Sequence, residues 1–242
     1  LAGNAPVEGM TASLVQQAHA LGRQLEYHLQ GNHLLANAKA LAFAGTFFSG
    51  KVAARWEQQG LRLLEEQLAE QVLVDGGHCT RVGHLRPLPL PGGDHAAREP
   101  WRMAAAVLHA SGMGHTIAQR FPQQTAAAGV QHLLAQQVHC PPTSSMGRVF
   151  DAAAALLGLC EVMHTDAQAP LALEQAAAQH GPCLPMTRGW HIHADLQLDL
   201  MPLLQSLIHE THAQRGAARF HATLAAALCD WVAQAAQQHS VH

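Results

Sequence analysis

The chain has 242 residues and a formal charge of −3 with a pI near 6.7, so it carries no electrostatic footprint for nucleic acid. Charged residues make up only 13% and aromatic residues 5%, against about a quarter charged in a typical domain, so the core must be assembled largely from Ala and Leu. No run of about 18 apolar residues occurs, which argues against a helical membrane span.

Residues 11–29 place Leu14, Ala18, Leu21, Leu25 and Leu29 on one helical face. Leu34, Ala38, Leu41, Gly45 and Phe48 repeat the spacing after a break at Gly31-Asn32. A third helix is predicted from about Lys51 to Glu70, with Val52, Trp56, Leu64, Leu68 and Val72 on one side. At Asp75-Gly76-Gly77 the texture changes. Pro87, Pro89 and Pro91 forbid helix and force an extended path, at best an edge strand.

Helices resume beyond. Asp94 is a plausible N-cap, and Pro100 is early enough for a first turn. Residues 101–111 are Ala-rich, and Ser145 is placed to cap a helix through about Cys160. Leu171–Gln179 is another helix, stopped by Gly181-Pro182. Met201–Ala213 and Ala217–Gln237 complete the set, the last with Phe220, Leu224, Ala227, Trp231 and Ala235 in register. The fold class is therefore mostly α. Antiparallel helical hairpins lead into a helical subdomain, with one Pro-rich extended segment or short hairpin near 71–90. The division falls into 1–77 and 78–242.

Five cysteines (Cys79, Cys140, Cys160, Cys183 and Cys229) are scattered without a C-x-x-C pair. That argues against a disulfide scaffold or zinc ribbon and for thiols in a reducing compartment, the cytoplasm. No charged n-region with an apolar h-region is visible, so no signal peptide is expected, and the start at Leu1 without Met suggests a fragment. Nineteen histidines make chance pairs common. On a strand, His191 and His193 would share a face, as metal ligands can. His209 and His212 flank Glu210 on a predicted helix, one position short of H-E-x-x-H. Incidental surface histidines are the plainer account of both pairs, and neither a catalytic residue nor a metal ligand is assigned.

Two stretches resemble known families. Leu25-Glu26-Tyr27-His28-Leu29-Gln30-Gly31-Asn32-His33-Leu34-Leu35-Ala36-Asn37-Ala38-Lys39-Ala40-Leu41 is similar to the helical toroid of the heparinase II/III polysaccharide lyases. That resemblance implies a uronate-neutralising role for Asn32; otherwise Asn32 only terminates a helix. Where the lyases carry their acid/base Tyr, this chain reads Cys79-Thr80-Arg81-Val82-Gly83-His84-Leu85-Arg86, and Tyr27 is its sole tyrosine. Proton transfer of that kind is typically worth about 10²–10⁴-fold.

The second resemblance spans roughly residues 72–238. It rests on His84-Leu85-Arg86-Pro87-Leu88-Pro89-Leu90-Pro91-Gly92-Gly93-Asp94, on Arg98-Glu99-Pro100-Trp101-Arg102, and on Thr143-Ser144-Ser145-Met146-Gly147-Arg148-Val149-Phe150-Asp151-Ala152. These are similar to the carbamoyltransferase domain of the hydrogenase maturation family HypF, among the actin/hexokinase-like ATPases. The resemblance implies that Asp151 holds the ribose of a carbamoyl-adenylate, and two ribose hydroxyls suit a carboxylate acceptor. It also implies ATP and a metal ion as the family's cofactors.

Departures from that family bear on activity. Its metal-binding histidine cluster would precede residue 72, where the lyase-like sequence stands. Its later Gly-rich segment would follow the last helix. Its Tyr-Glu-Gly-Gln-Ala-Ala motif is matched by Thr165-Asp166-Ala167-Gln168-Ala169-Pro170, so Ala167 stands where the family has Gly. A carbamoyltransferase-like fragment, inactive and without cofactor in this form, is the first expectation. A lyase-like fragment is the second, and a non-enzymatic chimeric helical protein the third. The natural partner is undetermined by sequence; no nucleic acid and no membrane are expected. Self-association is expected, through the face bearing Phe220, Leu224 and Trp231.

Overall fold

The computed structural model describes residues 81–239 except 166, the backbone of 70–75 and 78–80, and positions 16, 51, 52, 55, 56 and 58. The chain divides into two compact units, residues 1–68 and 69–242. In the first, Gln16, Lys51, Val52, Arg55, Trp56 and Gln58 are helical. The rest of the helices expected over 11–29, 34–48 and the 50s and 60s lies outside the described residues. Trp56 is buried but Val52 is exposed, so these two do not share one buried face. The third helix does not reach Glu70. Glu70 and Val72 belong to a strand instead.

That strand opens the second unit, which is mostly α with a small sheet. Strands β1 (Glu70–Asp75) and β2 (His78–Leu85) form an antiparallel hairpin closed across Asp75 and His78. Asp-Gly-Gly between two β-branched runs is the turn chemistry that a tight hairpin needs. The register jumps from Gln71↔Gly83 to Val72↔Arg81, so Val82 is the extra residue of a bulge. Two short strands, β5 (His191–Ile192) and β6 (Gln197–Asp199), complete the sheet in the order β1-β2-β6-β5, with β2 and β6 parallel. The proline segment gives β3 (Leu88–Pro89), paired only with β4 (Pro142–Thr143) in a separate two-stranded sheet. A backbone with alternate N–H groups missing can sustain no longer ladder.

The helices are α1 (Pro100–Ala110), α2 (Ile117–Arg120), α3 (Ala127–Gln136), α4 (Met146–Leu156), α5 (Gln168–His180), α6 (Met201–Ile208) and α7 (Ala213–Gln238). Pro100 is the first residue of α1, where its missing N–H costs nothing. Asp94 is not a cap of that helix. It lies in a preceding 3₁₀ turn, Gly93–Ala97, whose N-cap is Gly92. Ser145 does hold the N-cap position of α4, with extended φ and ψ.

Helix α4 stops at Leu156, short of Cys160, for a local reason. Gly158 adopts φ 68°, its N–H donates to Ala155 O, and Leu159 N–H donates to Ala154 O. Those two bonds are a left-handed glycine termination. Helix α6 ends at Ile208 rather than Ala213. Glu210 turns back there and accepts the His212 N–H at 2.9 Å, just ahead of α7. Helix α7 starts four residues earlier than the periodicity suggests.

The core is built from helix faces of small residues. Ala104, Ala105 and Ala106 of α1 and Ala152, Ala153, Ala154 and Ala155 of α4 are all buried, and these two helices pack on each other. Trp101, Phe121, Phe220 and Trp231 supply the volume that alanine lacks. Phe220, Leu224 and Trp231 are buried within this core. They do not form the uncovered face expected from sequence, and that ground for self-association falls away. No helix among the described residues is long and apolar enough to cross a membrane.

Candidate functional site

Of the Thr143–Ala152 motif, Thr143 ends β4 and Ser144–Ala152 form the entry and first turns of α4. Asp151 lies on the inward face of that helix with its side chain 1% exposed. Arg148, one turn earlier, brings a guanidinium nitrogen to 3.1 Å from Asp151 Oδ2. The i,i+3 spacing put this partner within reach from sequence alone, yet the sequence reading does not single it out. Arg148 is the outer member of the pair, 17% exposed, and also reaches the Ala96 carbonyl at 3.5 Å.

Cys160 is buried within reach of the Asp151 charge. Burial pushes its thiol up, and the negative charges of Asp151 and Glu161 push it further the same way. A shift in that direction disfavours the thiolate, the nucleophilic form. Glu161 is tied to Gln124 by a 2.9 Å hydrogen bond, and its carbonyl accepts from the Trp101 N–H. Glu99, within the Arg98–Arg102 signature, accepts from both Arg102 Nε at 2.6 Å and Trp101 Nε1 at 3.1 Å. The conspicuous Glu-Pro-Trp-Arg string thus holds the start of α1 together.

Ala167 occupies the position where the resembling family has Gly. It adopts φ 58° and ψ 15° as the N-cap of α5. A left-handed conformation costs an L-residue with a Cβ roughly 1–2 kcal/mol, partly offset by glycine's larger unfolded-state entropy. Ala167→Gly is expected to raise the melting temperature by about 2 °C, measured by circular dichroism. A fall would show that the Ala methyl makes packing contacts that outweigh the strain.

Asn32 and Tyr27 lie outside the described residues. His191 and His193 do come together, with ring centroids 4.6 Å apart and edge to face, on the exposed side of β5. Among the described residues no group of three His, Cys, Asp or Glu converges as metal ligands would. His209 and His212 do not share a helix: the first ends α6 and the second precedes α7.

Glu210 between them is the stronger feature. Its side chain is 4% exposed and grips Arg215 through both oxygens, at 2.6 and 3.1 Å, with Arg219 at 3.8 Å. The Arg215 hydrogen bonds, with help from the His212 N–H and the Arg219 charge, outweigh burial and lower the Glu210 pKa to about 2. The folded pKa lies below the unfolded one, so this contribution is complete above about pH 4.5 and is lost as pH falls toward 2. Glu210→Gln is expected to flatten the acid limb of a stability–pH profile between those values, with a loss of about 2–4 °C in Tm at pH 7. An unchanged acid limb would show that the pair contributes nothing.

Residues 69–242 match the family described as carbamoyltransferase, Kae1-like domain, second subdomain. Residues 9–82 match the heparinase II/III N-terminus, so the two matches overlap on the β1–β2 hairpin. The chain is 49% identical over 194 residues to carbamoyltransferase HypF2 of Cupriavidus necator, covering 69% of this chain and 24% of that protein. It is 39% identical over 72 residues to a heparin-sulfate lyase of Bacteroides stercoris, covering 29% of this chain and 11% of that protein. A crystal structure of full-length HypF in a phosphate- and nucleotide-bound form shares the fold, with a TM-score of 0.59 and 20% identity over 71% of this chain and 23% of that one. The chain spans between about a quarter and a half of the length of the HypF relatives first matched.

Proposed function

We propose, because this chain belongs to the Kae1-like carbamoyltransferase family as its second subdomain, that residues 69–242 supply one side of the nucleotide site of a HypF-type carbamoyltransferase. In this reading the whole enzyme handles carbamoyl-adenylate for assembly of a hydrogenase active site. Asp151 is the proposed ribose acceptor. The observation that carries the proposal is a carboxylate 1% exposed in an alanine-rich core, paired with a partly exposed arginine.

Burying a charge pair costs several kcal/mol of desolvation, and a well-packed apolar pair is often as stable or more so. Such a pair invites a functional explanation. The geometry suggests the order of events. Arg148 lies outside Asp151, so the ribose hydroxyls reach the carboxylate only when the guanidinium swings outward. A phosphate group would draw it that way, since the planar fork matches phosphate oxygens. The HypF structure of the same fold was solved with phosphate and nucleotide bound, which supports the reading. The described residues offer no three-ligand set for the family's metal ion, and no step proposed here runs through one.

The test is calorimetric titration of AMP into the 242-residue chain. Asp151→Asn keeps the side chain's shape but removes its charge. It is expected to weaken binding by about tenfold or more, the size of a lost charge-assisted hydrogen bond, while the protein still melts cooperatively. An unchanged affinity in a folded variant would sink the assignment. Carbamoyl phosphate-dependent release of AMP and pyrophosphate from ATP is expected to be absent from this chain, because lyase-like residues stand where the family's histidine cluster would lie. Turnover that disappears in Asp151→Ala would reverse that expectation.

A further inference from the structure

Residues 100–150 contain no Asp or Glu, while carrying Arg102, Arg120, Arg148 and four histidines. Arg102 and Arg148 have acid partners at the two borders of this stretch, Glu99 and Asp151. Among the described residues Arg120 does not; its guanidinium donates to the Leu156 carbonyl, at 2.7 Å, at the C-terminal end of α4. One guanidinium nitrogen is spent there, which fixes the fork and leaves its other donors open.

Arg120 stands on the rim of a crevice of about 320 Å³ between the end of α1, the α2 corner and the end of α6. Leu108, Met113 and Ile208 give it an apolar floor. Thr116, Gln119 and His209 complete a polar rim with no acid in it. Thr116 Oγ1 already donates to Met113 O at 2.8 Å, so the rim donors left open among the described residues are those of Arg120, Gln119 and His209. Small-ligand sites run from roughly 300 to 1,000 Å³, mostly apolar with a few convergent polar groups. No residue of the Ser144–Ala152 motif lines the crevice, so it is separate from the site proposed above.

We propose that this crevice binds a small organic carboxylate with a compact apolar body. The carboxylate would lie against Arg120, with His209 facing it, and the apolar part on Leu108, Met113 and Ile208. A planar carboxylate meets the fork through two parallel hydrogen bonds, and the apolar floor distinguishes it from inorganic anions.

Benzoate is the probe, titrated into the full chain and followed by ligand-observed NMR saturation transfer. Binding is expected for benzoate and is expected to fall by about tenfold for benzyl alcohol, which lacks the charge, and for inorganic phosphate, which lacks the apolar body. Arg120→Gln should weaken benzoate by about tenfold. Because that change also loosens the Leu156 contact, Gln119→Glu serves as a second variant. It leaves Arg120 in place and sets a like charge on the rim, and it should weaken benzoate and spare benzyl alcohol. Benzoate no tighter than benzyl alcohol or phosphate, or benzoate unaffected by Gln119→Glu, would overturn the proposal.

Discussion

Trp101→Ala is expected to lower the stability of residues 69–242 by about 3–5 kcal/mol, the usual cost of truncating a fully buried Trp. Trp101 is 0% exposed and sits in the first turn of α1. Its ring lies 5.8 Å from that of Phe121 and 5.0 Å beneath the Arg102 guanidinium. Its backbone N–H reaches Glu161 O and its indole N–H reaches Glu99. Truncation thus opens a cavity in a core whose alanines are too small to close it. It also removes one of the two donors that hold the Glu99 carboxylate. Urea unfolding monitored by circular dichroism would show the midpoint move while the slope holds. A loss below about 1 kcal/mol would show that this corner relaxes around the gap.

The same corner shows what could be read in advance. Pro100 as a helix start, the Ala-rich run behind it and the Gly181-Pro182 stop are local signals, and the structure follows them. The change at Asp75-Gly76-Gly77 and the proline spacing marked an extended segment or short hairpin near 71–90; the hairpin spans Glu70–Leu85, and the prolines lie beyond it in the separate β3. Three things were not legible. Helix ends at Leu156 and Ile208 depend on Gly158 adopting φ 68° and on Glu210 reaching back to His212 N–H, choices that periodicity does not encode. The burial of Phe220, Leu224 and Trp231 depends on partners distant in sequence: α7 packs mainly on α5, Phe220 meets Phe150 of α4, and Trp231 meets Leu196 and β2. An amphipathic helix declares that it has an apolar face, not what covers it. Arg148 as partner of Asp151 was within reach, because i,i+3 pairs on a helix are neighbours. Arg120 and its crevice are not visible in the sequence, because the crevice needs three separated segments to meet.

Trp231→Ala is the second large effect expected, again about 3–5 kcal/mol. This side chain joins α7 to the sheet. Its Nε1 donates to Leu196 O at 2.7 Å, in the turn between β5 and β6. Its ring leaves no room on β2: a Cβ added at Gly83 would lie 3.1 Å from the ring and 2.9 Å from Leu196 O. Trp231→Phe should cost less, about 1–3 kcal/mol, because most of the volume stays while a buried carbonyl loses its donor. Gly83→Ala should also cost about 1–3 kcal/mol by overpacking. The two sites share one contact, so the losses should not add. In a Trp231→Ala background the ring clash is gone, and the added methyl at 83 should cost less than it does alone, leaving only the approach to Leu196 O. A double-mutant cycle from urea midpoints measures this directly. Strict additivity would mean that β2 and α7 do not press on each other through Trp231, and that the hairpin's stability is independent of the last helix.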